Sequence, residues 1–135
     1  MKMIVKTLTT DHHDQLLDIT KTVETYVQNS GIREGLCVVY SPHTTAGITI
    51  NEAYDGDVKK DIIYLFNNVA PWNDNNYKHS EGNSAAHFKT LLTGTSATIP
   101  FVDGGLTLGT WQGIYFCEFD GPRHRQYHIS LLGNY

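Results

Sequence analysis

From Ser96 to Leu132 the chain is a succession of strand-forming runs separated by turn residues. Ser96 to Val102, Leu106 to Leu108, Gly113 to Phe119 and Arg125 to Leu132 are the four runs. Asp103-Gly104-Gly105 is a strong hairpin signal, and Asp120-Gly121-Pro122 marks another turn. The first two-thirds reads differently. Ile4 to Thr9 suits an edge strand. A helix is expected from Asp18, a good N-cap, with Ile19, Val23, Tyr26 and Val27 on one face and Asn29-Ser30-Gly31 ending it. Leu36 to Tyr40 and Gly47 to Ile50 read as strands flanking a loop at Pro42-His43. A second helix spans Gly56 to Val69, its stripe formed by Val58, Ile62, Leu65, Phe66 and Val69. Asn83 is placed to cap a third from Ser84 to Leu92, closed by Gly94. Helices early and consecutive strands late give an α+β fold, with about three helices and two layers of mostly antiparallel sheet.

No linker, repeat or shift in composition divides residues 1–135, so a single domain is expected. The formal charge of -4 and the lack of any Lys/Arg run argue against a nucleic-acid partner. No apolar stretch approaches the roughly 20 residues of a membrane span. The N-terminal residues do not read as a signal peptide, so a cytoplasmic protein is expected. Cys37 and Cys117 sit in apolar runs and read as buried core residues.

Three segments carry more chemically capable residues than folding needs. In Ser41-Pro42-His43-Thr44-Thr45-Ala46-Gly47, a stiffened loop offers one imidazole and two hydroxyls. His79 and His87 stand on either side of Asn83, so folding the chain there can bring their rings together. Three convergent imidazoles at His43, His79 and His87 would make an open metal site. Glu52 and Glu81 are the candidate proton-handling carboxylates. Lys89 and the start of the third helix can attract an anion, as can Thr44, Thr45 and Asn83 around them. In the third segment, Trp111 offers a flat stacking surface, Gln112 a donor and an acceptor, and Arg123 a bidentate clamp for phosphate or carboxylate. Each residue also has a plainer reading. His87 can pack beside Phe88 and Leu91, Trp111 can fill the core, and Arg123 can pair with Asp120.

Five stretches in order resemble the YjbQ-like family, also described as the secondary thiamine-phosphate synthase family. They are Pro42-His43-Thr44-Thr45-Ala46, Asn51-Glu52, His79-Ser80-Glu81-Gly82-Asn83 with Ala86-His87, Gly109 to Tyr115, and Glu118 to Arg123. The resemblance implies an α+β domain with a seven-stranded, two-layer sheet arrangement, assembled as a homotrimer. It implies a divalent metal, zinc foremost, on His43, His79 and His87, and a small phosphorylated metabolite as partner. The implied activity is thiamine-phosphate synthesis, in which a pyrimidine diphosphate alkylates a thiazole phosphate and releases pyrophosphate. Imidazole ligands favour zinc over the magnesium usual for diphosphates. Two alternatives therefore stand beside it: metal-dependent hydrolysis of a small phosphorylated or amide compound, and a non-enzymatic metal- or phosphate-binding module.

Overall fold

The computed structural model describes residues 1–135. In chain order the elements are β1 (Lys2–Thr9), β2 (Gln15–Asp18), α1 (Thr20–Asn29), β3 (Glu34–Tyr40), β4 (Ala46–Glu52), α2 (Gly56–Val69), α3 (Ser84–Thr93), β5 (Ser96–Val102), β6 (Gly105–Leu106), β7 (Gln112–Glu118) and β8 (His124–Asn134). They build two antiparallel sheets, one ordered β1-β8-β3-β5-β6 and the other β2-β7-β4. Eight strands form where the family resemblance implied seven, and two of them are short, β2 with four residues and β6 with two. The α+β class and the three helices are as the sequence indicates.

Strand parity decides which side chains fill the space between the sheets. Cys37, Val39, Ile99, Phe101, Ile129 and Leu131 of the larger sheet meet Ile48, Ile114 and Phe116 of the smaller one, with Val23 and Val27 of α1 closing the same cluster. Each such fully buried aliphatic or aromatic side chain supplies about 1.5–3 kcal/mol. The opposite face of the smaller sheet is covered too. There Leu16, Tyr115, Cys117 and Phe119 pack with Ala86 of α3 and with Ile62, Ile63 and Phe66 of α2. β7 is thus buried on both faces, which is why Ile114 to Cys117 carries no charged residue.

Four local expectations change. Asp18 ends β2 instead of capping α1, and its Oδ1 accepts from the backbone N–H and the hydroxyl of Thr20. Asn83 makes no side-chain cap on α3. The run Leu106 to Leu108 shortens to the two residues of β6. The stripe of α2 is only half used, since Leu65 and Val69 remain exposed and no residue of that helix is fully buried.

Gly47 sets how closely α3 approaches β4. A Cβ there would collide with Thr93 Oγ1 and the Gly94 carbonyl, which accepts from Ile48 N–H at 3.1 Å.

A buried ion pair ties β7 to β8. Arg125 Nε donates to Glu118 Oε1 at 2.8 Å, and Arg125 Nη2 pairs with Glu118 Oε2. The carboxylate also accepts from Thr10 Oγ1 at 2.8 Å and from Asp120 N–H at 3.0 Å. Nη2 reaches Thr45 Oγ1 at 2.9 Å. Removing one partner strands the other charge, so Arg125→Met is expected to cost about 3–5 kcal/mol in urea unfolding. The double variant Arg125→Met/Glu118→Leu should recover part of that loss. A single variant within 1 kcal/mol of wild type (about the worth of an ordinary surface pair) would show that the pair does not hold the sheets together.

Candidate functional site

β3 ends at Tyr40, opposite His128 of β8. Continuing that register would set residue 42 against Gln126, but Pro42 has no N–H to give. The His43 ring takes the vacant place. Its Nε2 lies 3.0 Å from Gln126 N–H and 3.1 Å from the Gln126 carbonyl, and its edge meets Phe116 at 6.3 Å between centroids. Burial lowers its pKa below the usual imidazole value, and the nearby Arg125 guanidinium adds to the effect. The neutral ring accepts from Gln126, so His43 is a structural bridge between the loop and β8. Thr45 is buried on Arg125, whereas Thr44 is exposed.

The bend at Asn83 does bring His79 and His87 together, with ring centroids 5.5 Å apart and planes at 75°. The third imidazole does not join them. Thr44 and His87 border one shallow recess of about 390 Å³, but the His43 ring is turned to Gln126 and Phe116. No group of three or more His, Cys, Asp or Glu side chains in the chain is arranged to hold a metal ion. This overturns the three-histidine centre and the zinc-dependent thiamine-phosphate synthesis, hydrolysis and metal-binding roles built on it. The spacing allowed the rings to meet, but the backbone of Gln126 claimed one of them.

The other expected anion contacts are also spent inside the protein. Lys89 is fully buried, and its Nζ donates to Asn67 Oδ1 at 2.7 Å and sits 3.3 Å from Asp14 Oδ2. It ties α3 to α2 and to the segment before β2, so it is not open to a phosphate. Arg123 takes the plainer reading, with Nη2 on Asp120 Oδ2 at 3.1 Å and Nε on the Asp120 carbonyl at 2.8 Å. Asn83 Nδ2 donates to the same carboxylate at 2.9 Å, while Asn83 Oδ1 is buried without a partner. Trp111 does not fill the core; it is 56% exposed and packs edge-on against Tyr54 at 4.9 Å. Gln112 Oε1 accepts from Gly109 N–H at 2.8 Å. Glu81 is exposed on the loop before α3.

Glu52 lines a separate cavity, more enclosed than the recess beside Thr44 and His87, with a volume of about 240 Å³. Its floor is the outer face of the smaller sheet, with Thr49 and Asn51 of β4, Tyr115 and Cys117 of β7, and Leu16 of β2. Its walls are Lys59, Ile62, Leu65 and Phe66 of α2 and Leu92 and Thr93 of α3. Glu52 ends β4 and Lys59 lies in the first turns of α2. Tyr115 hydroxyl donates to the Glu52 carbonyl at 3.0 Å, and burial, with Asp18 and Glu52 nearby, raises its pKa. Burial also pushes the Cys117 thiol pKa well up, so it stays protonated and is no nucleophile. Reading the sequence missed this floor because β2 was not foreseen. The alternation of Tyr115 and Cys117 against Ile114 and Phe116 is the signal that could have revealed a second buried face.

The sequence model of the family described as UPF0047 protein YjbQ-like matches residues 5–134. UPF0047 protein YugU of Bacillus subtilis is 52% identical over 124 residues, covering 92% of this chain and 94% of that protein. A UPF0047 protein of Methanocaldococcus jannaschii is 47% identical over 135 residues, covering 99% and 97%. Among solved structures, a YjbQ/UPF0047 family protein from Clostridium acetobutylicum superposes with a TM-score of 0.93 at 50% identity, covering 96% of this chain and 99% of that one. A YbjQ-like protein from Sulfolobus solfataricus gives 0.94 at 32% identity, covering 98% and 97%. None of these names specifies thiamine-phosphate synthesis or a metal.

The lowered pKa of His43 has a definite sign. The unfolded chain takes up the imidazole proton first as pH falls, so stability is full above about pH 6.5 and declines below it until the folded site also protonates. Proton NMR should place the His43 titration midpoint below the ordinary imidazole value of about 6.5. His43→Gln should flatten the fall in stability through this window. A His43 midpoint at or above the ordinary imidazole value would contradict the bridge to Gln126.

Proposed function

The chain belongs to the UPF0047 YjbQ-like family, and on that premise we propose that it is a small-molecule-binding protein whose ligand enters the cavity between α2, α3 and the smaller sheet. One observation carries the reading. The cavity is lined mainly by apolar side chains, Leu16, Ile62, Leu65, Phe66 and Leu92 among them, with Thr49, Asn51, Glu52 and Lys59 as its few polar residues. Ligand sites combine mostly apolar walls with a few convergent polar groups in this way. At about 240 Å³ the space suits a molecule smaller than a typical drug. The walls are set by contacts that do not depend on a ligand: Gly47 seats the end of α3, and Lys89 holds α3 to Asn67 of α2.

We also infer self-association into the homotrimer. Met3, Val5, Leu36, Tyr40 and Leu132 stand exposed on the outer face of the larger sheet. With Val38, Thr98 and Ser130 between them, that face carries no formal charge short of Glu34 at its rim. Exposed apolar area of this extent marks an association surface. No helix is long and apolar enough to cross a membrane. The two free buried thiols fit the reducing cytoplasm, where we place the protein.

Ligand-observed NMR with a panel of small amphipathic compounds tests the cavity. Binders should compete for one site, and Leu92→Trp, which fills the space, should weaken them at least about tenfold. Binding indifferent to Leu92→Trp would place the site elsewhere. Sedimentation equilibrium should give three times the 15.2 kDa chain mass. Leu132→Lys should shift the protein to monomer; a wild-type monomer would refute the assembly.

A further inference from the structure

Resting on the self-association inferred above, we propose that His128 makes that assembly pH-dependent: the copies hold together while its ring is neutral and separate once it is protonated. Side chains alternate along β8. Arg125, Tyr127, Ile129 and Leu131 are buried on the inner side, while Gln126, His128, Ser130 and Leu132 lie on the outer face of the larger sheet. His128 stands half-buried between its two pairing partners, Val5 of β1 and Tyr40 of β3. Its ring meets that of Tyr40 edge-on, with centroids 5.7 Å apart. Val5 and Tyr40 both belong to the exposed apolar set on this face, so a partner that covers them covers His128 as well. A second copy is the occupant this face fits. Each chain carries a formal charge of -4, so copies repel, and this face lets them touch without opposing formal charges of like sign.

No carboxylate faces the ring. Its neighbours on β1 are Val5, Met3 and Thr7, and on β3 they are Tyr40 and Val38. Along β8 they are Gln126 and Ser130, with the His43 imidazole held on Gln126. The Tyr40 phenol and His43 are the titratable groups among these, and neither carries a negative charge at neutral pH or below. Lys6 lies on the inner side towards α1, and Arg125 is paired there with Glu118. Glu34 stands at the far end of β3, opposite Asn134. An imidazole in water takes up its proton at about pH 6.5. On a free chain the charged ring keeps its water. Under a second copy it loses that water and gains no counter-charge, and every further copy adds a charge of the same sign. The assembly therefore binds fewer protons than the free chains do, and lowering the pH weakens it.

Sedimentation equilibrium of the intact protein at about pH 8 and about pH 5.5 tests this. Each chain contributes about a tenfold loss over the unit below about pH 6.5, so a trimer should lose about a thousandfold in its association constant. Circular dichroism should remain that of the folded chain at both pH values. His128→Gln is neutral throughout and should assemble equally at both. His128→Phe should do the same while keeping a ring against Tyr40. A wild-type trimer equally tight at both pH values overturns the switch and leaves the assembly standing. Dissociation at low pH that persists in both variants, or that comes with loss of the folded circular dichroism signal, belongs to other groups and overturns the proposal. Two variants that stay monomeric at about pH 8 overturn it as well. A wild-type monomer at about pH 8 overturns the assembly and the switch together.

Discussion

The buried pair of Glu118 and Arg125 is the contact on which the arrangement of both sheets turns. Glu118 ends β7 in the smaller sheet, and Arg125 opens β8 in the larger one. Thr10, Thr45 and Asp120 supply the remaining hydrogen bonds, so each charged group is satisfied from several segments at once. A charge pair this deep is tolerated only with such support. Its reach extends to function. Thr45 fixes the start of β4, β4 forms the cavity floor, and the neighbouring Gln126 holds His43.

Histidine chemistry that looks catalytic in the sequence is here divided between two structural tasks. His43 completes the β8 ladder where a proline cannot. His79 and His87 contact each other beside the loop entering α3. The cationic side chains follow the same pattern, since Lys89, Arg123 and Arg125 all face carboxylates of their own chain. Lys59 is the one cation among the cavity's lining residues.

Much of the fold was legible because its signals are local. The stripe on α1, the continuous run of β7 and the Asp103-Gly104-Gly105 hairpin are all contained in short windows. β2 was not legible, because Gln15 to Asp18 holds only two apolar residues and follows a polar turn. The fate of Lys89 was hidden for a different reason. Its partners lie 75 and 22 residues away, and burial depends on helices meeting over the smaller sheet. The three histidines were legible as a group by type but not by place, since the claim of Gln126 on His43 crosses 83 residues. Glu52 was singled out for proton transfer; the fold gives it a cavity wall and no convergent imidazole.

Methyl NMR on protein with labelled leucine and isoleucine side chains would test the central claim most directly, using the tightest small-molecule binder available. The account predicts saturable shifts at Leu16, Ile62 and Leu92, with Leu36 and Leu132 on the far sheet face unmoved. Shifts confined to that far face, or none at the cavity when the ligand is fully bound, would contradict it.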